Sequence, residues 1–362
     1  MKRIRVGVLF GGKSAEHEVS ILSARNVVAA LDRSRFEPVL IGVDKSGRWL
    51  AQKEAALLGT ALDPRLAKLN EGEAVAIMPG TITVAGDSQR MDVIFPVLHG
   101  PMGEDGTVQG LLELADIAYV GAGVLGSAVG MDKDVMKRLL KDAGIPITNH
   151  RTIRKSEFER DPDGVCRRAE EVGFPLFTKP ANLGSSIGIR RVMDKTHLYD
   201  ALAFAFSFDL KALTEAAVIG REIECSVLGN EDPIASLPGE VVVKHEDGFY
   251  SYDAKYLDEN GAASEIPAKL PPEQIRQVQA MAIRTFLALE CSGMARVDFF
   301  LQADGRLLVN EINTIPGFTA ISQYPKLWEV SGIPQTELIS RLIDLALERH
   351  AQKKQLKTSV EL

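Results

Sequence analysis

Residues 296–313, with the sequence RVDFFLQADGRLLVNEIN, are the stretch that decides the fold. Successive side chains of a strand point to opposite faces, so the alternation puts Arg296 and Asp298 on one face of a first strand. It puts Glu311 and Asn313 on one face of a second strand. The Asp-Gly pair between them is typical of a tight hairpin turn. The pattern therefore predicts a hairpin that brings two carboxylates, an amide and a guanidinium to one surface.

Such a surface suits a metal bound to a nucleotide. Mg²⁺ prefers a few hard oxygen ligands and takes the rest of its octahedron from phosphates and water. A neighbouring arginine suits the charge that develops on a transferred phosphoryl group or an oxyanion. A solvated hairpin face with one salt bridge would give the same pattern. The metal is favoured because the polar residues interrupt apolar strands and because TIPG follows at 314–317.

A second group of residues has the character of an anion site. Residues 177–188, FTKPANLGSSIG, run from an apolar strand into Lys179 and then into a loop of glycines and serines. Glycines let backbone N–H groups approach an anion, and the lysine supplies a point charge. The lysine precedes the glycines, so the loop is not a Walker A motif. An ordinary turn is the alternative on this pattern alone.

Three further charged residues extend this group. Lys133 begins a predicted helix and is a second candidate phosphate lysine. Glu215 and Glu222 flank an apolar segment, where two acids could hold an adenine amine and ribose hydroxyls. Taken singly, each of the three fits equally well as an ordinary surface residue.

The first third of the chain alternates apolar strand runs with helical patterns. This alternation predicts βαβ units and an open parallel sheet. Ligands bind beyond the carboxyl ends of the strands in such sheets, which is where the sequences GGKSAE and HGPMGED fall. The predicted elements are strands at 4–10, 39–43 and 93–98 and helices at 19–31 and 108–114.

The rest of the chain is predicted to form two further domains. The glycine-rich run at 121–130 indicates a boundary, so the predicted domains are residues 1–126, 127–220 and 221–362. A polar stretch at 246–266 has the composition of a mobile lid or of a surface loop. The remaining predicted elements are helices at 132–143, 163–172, 195–206, 271–289 and 336–349 and strands at 175–179, 222–228, 294–301 and 306–312.

Composition restricts the class of protein. Of the 362 residues, 45% are hydrophobic and 25% are charged, which supplies normal cores for two or three domains. The net charge of −7 argues against a nucleic-acid partner, which would select a basic face. The three cysteines are far apart in the sequence, so neither a disulfide framework nor a zinc site is expected.

The start of the chain has the pattern of a strand rather than of a targeting segment. MKRIRVGVLF begins with positive charge, but its apolar run ends after a few residues at GGK. No apolar stretch reaches about 18 residues, so neither a transmembrane helix nor a membrane partner is predicted. The cytoplasm is the expected location.

In order along the chain, these motifs resemble the D-alanine–D-alanine ligase family of the ATP-grasp superfamily. The resemblance implies an α/β (α+β) fold, with an N-terminal open parallel sheet followed by a two-part ATP-grasp fold. It also implies that residues 246–266 form a mobile lid. The resemblance covers the whole chain and is carried by GGKSAEHEVS at 11–20, HGPMGEDG at 99–106, GREIEC at 220–225 and NEINTIPGFT at 310–319.

The resemblance further implies ATP as cosubstrate with two Mg²⁺ ions, with Mn²⁺ as a substitute and K⁺ as a further cation. Lys133 and Lys179 would hold the α- and β-phosphates, while the serine loop would close over the triphosphate. Glu215 would meet the adenine and Glu222 the ribose. The implied ATP-binding residues are Lys133, Lys179, Gly184, Ser185, Ser186, Glu215 and Glu222, and the implied metal ligands are Asp298, Glu311 and Asn313.

The reaction implied by the resemblance joins two D-alanine molecules through a D-alanyl phosphate, for peptidoglycan precursor synthesis. Glu16 would receive the ammonium group of the first substrate, supported by His99, Ser185 and Tyr256. Arg296 and the N–H group of Gly317 would stabilise the oxyanion. The implied catalytic residues are Glu16, His99, Ser185, Lys255, Tyr256, Arg296 and Gly317, and the implied substrate-binding residues are Glu16, Ser322 and Gln323.

Alternatives remain at this point. A D-alanine–D-lactate ligase would use the same chemistry with another second substrate, although SYDAKY at 251–256 favours the dipeptide. A non-catalytic nucleotide-binding scaffold would be expected to lose metal ligands, and none is missing. A dinucleotide-dependent dehydrogenase would need a GxGxxG fingerprint that this chain lacks. Thr178 and Leu183 depart from the family pattern beside the nucleotide loop. A homodimer is the assembly that the resemblance implies.

Overall fold

The computed structural model of the protein describes residues 3–60, 63–78, 80–84, 87–243 and 262–357. The elements of the N-terminal part are strands β1 (Ile4–Gly11), β2 (Phe36–Val43), β3 (Trp49–Gln52), β4 (Val75–Met78), β5 (Thr81–Val84), β6 (Asp87–Arg90), β7 (Val93–Pro96) and β8 (Ala118–Tyr119) and helices α1 (His17–Ala30), α2 (Glu54–Leu58), α3 (Thr107–Leu114) and α4 (Val124–Met131). The main sheet has the order β3-β2-β1-β7-β8. Its pairs are parallel except for β3, which joins the edge in antiparallel fashion.

Burial explains why β1 lies at the centre of this sheet. Val6 and Val8 of β1 and Phe95 of β7 are fully buried, as expected for strands covered on both faces. Strand β1 ends at Gly11, and the chain beyond β7 leads to His99. Both glycine-containing motifs therefore lie at the carboxyl edge of the sheet, and the predicted parallel fold of this part is confirmed.

A small antiparallel sheet of β4, β5 and β6 is absent from the sequence prediction. Each of its strands has four residues. The side chains of β4 alternate between half-buried and exposed, so the strand buries little apolar surface. Strands this short carry too little apolar periodicity to be distinguished from loops by sequence.

The middle part of the chain forms a second antiparallel sheet covered by helices. Its elements are helices α5 (Lys133–Asp142), α6 (Lys155–Arg160), α7 (Pro162–Glu170) and α8 (Leu198–Ala205) and strands β9 (His150–Arg154), β10 (Leu176–Pro180), β11 (Arg190–Val192) and β12 (Lys211–Ala216). The strand order is β11-β10-β12-β9. Strand β10 and helices α5, α7 and α8 agree with the prediction, whereas β9, β11, β12 and α6 are additional.

The glycine-rich run at 121–130 contains helix α4. A Cβ atom at Gly126 would lie 2.4 Å from the carbonyl oxygen of Glu290, and one at Gly130 would lie 2.8 Å from Cγ2 of Thr314. These glycines therefore permit close packing of α4 against the C-terminal part. The division of the chain at 126/127 and 220/221 stays a prediction.

The C-terminal part contains the predicted hairpin. Its elements are strands β13 (Arg221–Gly229), β14 (Ile234–Ala235), β15 (Gly239–Val243), β16 (Ala262–Glu265), β17 (Gly293–Leu301) and β18 (Leu307–Asn313) and helices α9 (Pro272–Ala288), α10 (Gln323–Val330) and α11 (Gln335–Lys354). The sheet has the order β16-β15-β13-β17-β18, and β14 pairs with β13. Strands β17 and β18 are antiparallel, with a register shift after Asp298.

Helix α11 packs the C-terminal part of the chain against the N-terminal sheet. Its Leu338 and Leu342 are buried in the same apolar cluster as Val6 of β1. Ile315 and Phe318, which follow the hairpin, belong to this cluster as well. Because a buried leucine side chain stabilises a fold by about 1.5–3 kcal/mol, the shared core holds the hairpin beside the N-terminal sheet. None of the helices that the structure describes is long and apolar enough to cross a membrane.

Candidate active site

Two adjoining cavities lie where the middle part of the chain meets the C-terminal part, and the first of them also borders the N-terminal part. The carboxylate cavity is lined by residues that include Glu16, His99, Glu104, Ser185, Glu224, Arg296, Gly317, Ser322 and Gln323. The lysine cavity is lined by residues that include Lys133, Phe177, Lys179, Ser186, Glu215, Val218, Glu222 and Phe300. Gly184 and Glu311 line both cavities. Asp298 lines neither cavity but contacts Arg296 in the wall of the first, so the described residues that were predicted as site residues lie at one place in the fold.

The hairpin face has the arrangement that the alternation predicts. Arg296 pairs with Asn313 and Asp298 pairs with Glu311 in the register of β17 and β18. The guanidinium of Arg296 donates from Nε and Nη2 to the two carboxylate oxygens of Asp298, each at 2.7 Å. The Asn313 amide donates to Asp298 Oδ2 at 2.9 Å. Two carboxylates, an amide and a guanidinium therefore share one surface.

A third carboxylate, Glu224, reaches this face from β13, and sequence reasoning missed it. Its Oε2 atom lies 3.3 Å from Nε of Arg296. Burial works against the charge of Arg296, but Asp298 and Glu224 outweigh it and raise the pKa of the guanidinium well above its usual value. Arg296 is therefore a fixed cation in the wall of the carboxylate cavity.

Lys133 connects the hairpin to the glycine loop. It is the first residue of α5, whose N-cap Asp132 accepts hydrogen bonds from the N–H groups of Asp134 and Val135. The Lys133 ammonium donates to the carbonyl oxygen of Leu183 at 2.7 Å and lies 3.2 Å from Oε2 of Glu311. The helix cap therefore fixes an ammonium group where both cavities meet.

Below the lysine cavity lies a buried charge cluster that the sequence does not reveal. Glu215 is 2% exposed and lies 2.7 Å from the Lys179 ammonium and 3.3 Å from that of Lys137. Thr148 donates to the same carboxylate. Burial raises the pKa of Glu215, but the two lysines dominate and lower it to about 2. Burial lowers the pKa of Lys137 to about 8. The cluster holds Lys179 in position.

The serine loop closes onto helix α1. Ser185 donates a hydrogen bond to Oε1 of Glu16, the residue that precedes α1. Ser185 and Ser186 have φ angles of 50° and 59°, in a left-handed region that serine seldom adopts. The loop therefore has a defined conformation, in which it links the middle part of the chain to the N-terminal sheet.

His99 is buried and hydrogen-bonded on both ring nitrogens. Nε2 lies 3.2 Å from Oγ of Ser23, and Nδ1 lies 3.2 Å from the carbonyl oxygen of Ile315. Desolvation lowers the pKa of His99, although the nearby Glu16 acts in the opposite sense. The imidazole is therefore neutral at pH 7.

Ser322 and Gln323 lie at the far end of the carboxylate cavity. Ser322 Oγ accepts a hydrogen bond from the N–H group of Thr319 at 3.0 Å. A Cβ atom at Gly317 would lie 2.7 Å from this hydroxyl oxygen, so glycine permits the close approach. The Gln323 amide donates to Ser264 of β16. Lys255, Tyr256 and most of the predicted lid at 246–266 lie outside the described residues.

Comparison with known families decides the relationship of the chain. The model for the D-ala D-ala ligase N-terminus matches residues 5–122, and the model for the D-ala D-ala ligase C-terminus matches residues 139–344. The chain belongs to the D-alanine–D-alanine ligase family. The predicted family, the ATP-grasp fold and the ligase class are confirmed.

Relatives support this assignment over the full length. D-alanine–D-alanine ligase A of Chromobacterium violaceum is 51% identical over 370 residues, which cover 100% of both chains. The structure of the D-alanine–D-alanine ligase from Coxiella burnetii covers 98% of this chain and 97% of that chain, at 39% identity and a TM-score of 0.86. The VanG D-Ala:D-Ser ligase from Enterococcus faecalis is similar at 31% identity, with 95% and 100% coverage and a TM-score of 0.84.

The donor set of the hairpin fits the Mg²⁺ ions that accompany ATP in a ligase of this family. Asp298, Glu311 and Asn313 offer hard oxygen atoms, and such ions complete their shell with phosphates and water. The two carboxylates lie next to Arg296 and Lys133. Within the described ranges, no group of three His, Cys, Asp or Glu side chains is spaced to hold a metal. Among the described residues, the hairpin alone therefore offers only part of the oxygen set that such an ion requires.

Glu104, in the HGPMGEDG motif, is a further residue that the sequence prediction omits. Burial and the neighbouring Glu16 raise the pKa of Glu104 to about 8, although a hydrogen bond from the N–H group of Gly100 acts in the opposite sense. Its carboxyl group is thus largely protonated at pH 7. Its motif is visible in the sequence, but its protonation depends on burial, which the motif does not encode.

Proposed function

We propose that this chain joins two D-alanine molecules into D-alanyl-D-alanine, with ATP converted to ADP and phosphate, as a step in peptidoglycan precursor synthesis. The observation that supports this most directly is the junction of the two cavities at Gly184 and Glu311. A triphosphate among the lysines would meet a carboxylate substrate at that junction. Family membership and the full-length relatives support the same reaction.

The lysine cavity is the proposed ATP site. Lys133 and Lys179 contact the α- and β-phosphates, and the loop from Gly184 to Ser186 covers the triphosphate. The apolar side chains of Phe177, Val218 and Phe300 suit the faces of an adenine ring. Beside the base and the ribose, the proposed contacts are with Glu215 and Glu222.

Asp298, Glu311 and Asn313 are the proposed ligands of two Mg²⁺ ions, which would neutralise charge on the transferred phosphoryl group. Mn²⁺ is the proposed substitute, since it accepts the same oxygen ligands. K⁺ is proposed as an additional activating cation. Lys255 is proposed to approach the phosphoryl group from the lid.

The carboxylate cavity is the proposed site of both amino acids. Glu16, supported by His99, Ser185 and Tyr256, receives the ammonium group of the first D-alanine. The carboxylate of that substrate attacks the γ-phosphorus atom, and ADP leaves. The amine of the second D-alanine then attacks the acyl carbon, loses its proton and displaces phosphate. Arg296 and the N–H group of Gly317 stabilise the intermediate oxyanion, and Ser322 and Gln323 bind the second carboxylate.

Phosphate release from ATP tests this function. D-Alanine should stimulate release and yield D-alanyl-D-alanine, whereas L-alanine should not. D-Lactate and D-serine, each added together with D-alanine, measure the choice of second substrate. Release that D-alanine leaves unchanged would reject the function and favour a nucleotide-binding scaffold, while preferential formation of the ester would favour the D-lactate ligase.

A homodimer is the proposed assembly. Helices α3 and α4 contact each other and expose the apolar side chains of Leu111, Leu114, Val124 and Leu125. Exposed apolar clusters of this kind are typical of interfaces. Leu114→Glu should convert the dimer to a monomer in light scattering, and Leu210→Glu, at an exposed leucine of the middle part, is the control. A dimer that survives the first change would contradict this interface.

The cytoplasm is the proposed location. Cys166, Cys225 and Cys291 are all free thiols, which is usual in a reducing compartment. The proposed substrate ATP is also a cytoplasmic metabolite. Fractionation of cells that produce the protein would test the location, and recovery with a membrane or extracellular fraction would contradict it.

A further inference from the structure

The segment 315–318, which contains Gly317, is held on both sides by one hydrogen-bonded ring. The N–H group of Phe318 donates to Oγ of Ser23 at 3.2 Å. Oγ of Ser23 lies 3.2 Å from Nε2 of His99, and Nδ1 of His99 lies 3.2 Å from the carbonyl oxygen of Ile315. Ser23 and His99 thus connect to Phe318, directly after Gly317, and to Ile315, two residues before it.

The directions of these hydrogen bonds follow from the chemistry of the atoms. A backbone N–H group can only donate and a carbonyl oxygen can only accept, so Oγ of Ser23 accepts from Phe318 and Nδ1–H of His99 donates to Ile315. The remaining Ser23 hydroxyl proton then goes to Nε2 of His99. The ring therefore needs the neutral imidazole with its proton on Nδ1, and a buried site favours the neutral form.

Helix α1 supplies the rigid side of this ring. Ser23 is fully buried within α1, and Asn26, three residues later, donates to the carbonyl oxygen of Phe318 at 3.1 Å. Glu16 lies at the start of the same helix, about 10 Å along its axis from Ser23. One helix therefore fixes the residue proposed to bind the first ammonium group and the segment that carries the proposed oxyanion donor.

We propose that Ser23, acting with His99, is a positioning residue that holds the Gly317 N–H group in the orientation needed for the tetrahedral intermediate. This inference rests on the oxyanion role that the proposed function gives to Gly317. Oxyanion donors act through preorganisation, because a donor that must reorient during the reaction loses much of its effect. Ser23 lines neither cavity, so it preorganises the segment from outside the proposed substrate site.

The test separates the two chemical steps. In wild-type protein with D-alanine, movement of an oxygen isotope from one position to another within labelled ATP reports formation of the acyl phosphate. Dipeptide formation reports the complete reaction. Ser23→Ala should reduce kcat for the dipeptide by about tenfold or more, since complete loss of an oxyanion donor costs about 10²–10³-fold. The KM for ATP and the isotope exchange should change less than about twofold, because the ring contacts neither ATP nor the hairpin.

Ser236→Ala is a matched control. Ser236 is also fully buried, and its hydroxyl also makes two hydrogen bonds, since it accepts from the N–H group of Ser226 at 3.0 Å and donates to the carbonyl oxygen of Leu237 at 2.9 Å. The Ser236→Ala variant should lose as much thermal stability as Ser23→Ala and should keep the wild-type kcat. If Ser23→Ala does not fold, Asn26→Ala removes one bond to the same segment and should give a smaller loss at the same step.

Equal losses of isotope exchange and dipeptide formation in the Ser23 or Asn26 variant would overturn the positioning role. So would a kcat that falls no further than in Ser236→Ala. Wild-type protein that shows no D-alanine-dependent exchange would instead reject the proposed function itself.

Discussion

The two cavities differ in their balance of charge. The lysine cavity is lined by the ammonium groups of Lys133 and Lys179 and by Glu215, Glu222 and Glu311, and the buried Lys137 below it pairs with Glu215, so three cations match three acids. In the carboxylate cavity, the acids outnumber the cations, and Glu16, Glu104, Glu224 and Glu311 all line the space beside Arg296. This difference matches the proposed substrates, since one is a polyanion and the other carries an ammonium group. The boundary between them is the proposed place for phosphoryl transfer.

Removing the acid that both cavities share should have the largest effect. Glu311→Gln is expected to lower turnover by at least about 10²–10³-fold. The reason is that it removes a carboxylate that would hold the metal ion where negative charge develops on the transferred phosphoryl group. The measurement is phosphate release with D-alanine, together with circular dichroism to establish folding. Asp304→Asn, in the exposed hairpin turn, is the control and should retain full turnover. Activity that survives in Glu311→Gln would contradict the metal assignment.

Breaking the balance below the lysine cavity should have the next largest effect. Glu215→Gln leaves the buried ammonium of Lys137 and that of Lys179 without their carboxylate, and loss of one partner of a buried ion pair costs about 3–5 kcal/mol. Urea unfolding measures the loss in the free energy of unfolding relative to the wild type. Glu337→Gln breaks the exposed pair with Arg341 and should cost less than about 1 kcal/mol. Equal effects of the two changes would show that the buried cluster has no special role.

Replacement of Glu104, the protonated acid of the carboxylate cavity, should have the smallest effect, and this effect should depend on pH. Glu104 has a pKa of about 8 in the folded protein and an ordinary value of 4.5. The folded state therefore holds a proton that the unfolded chain has lost, and this contribution to stability disappears as the pH rises from about 4.5 through about 8.

Glu104→Gln cannot lose this proton, so its free energy of unfolding should decline less than that of the wild type between pH 6 and pH 9. Urea unfolding without nucleotide or metal measures the difference. Parallel declines in the two proteins would place the ionisation of Glu104 outside this range and contradict its protonated state at pH 7.

Local pattern was sufficient to predict the hairpin and the parallel sheet. Alternation operates within a few residues, so it predicts the common face of Arg296, Asp298, Glu311 and Asn313. The parallel strands are recognised by their continuous apolar runs. The predicted strand at 4–10 differs from β1 by one residue at its end. The same local signals are weak in the short strands β9 and β11, which were missed.

Long-range contacts were beyond local pattern. Lys137 and Glu215 are separated by 78 residues, and Ser23 and Phe318 by 295. In the sequence Lys137 is an ordinary helical lysine, and nothing near it indicates that folding will bury it beside an acid. Family resemblance located the residues predicted to contact substrates, but it did not indicate the residues that hold them in place.

The most direct test of the account follows an oxygen atom across the boundary between the cavities. D-Alanine labelled with ¹⁸O in both carboxylate oxygens is incubated with unlabelled ATP and Mg²⁺, and the released phosphate is examined by mass spectrometry. If the carboxylate attacks the γ-phosphorus atom, one ¹⁸O atom must leave with each phosphate when the amine displaces it. Phosphate that carries one ¹⁸O is the predicted result, and unlabelled phosphate formed together with dipeptide would contradict the acyl phosphate and the proposed division of the site.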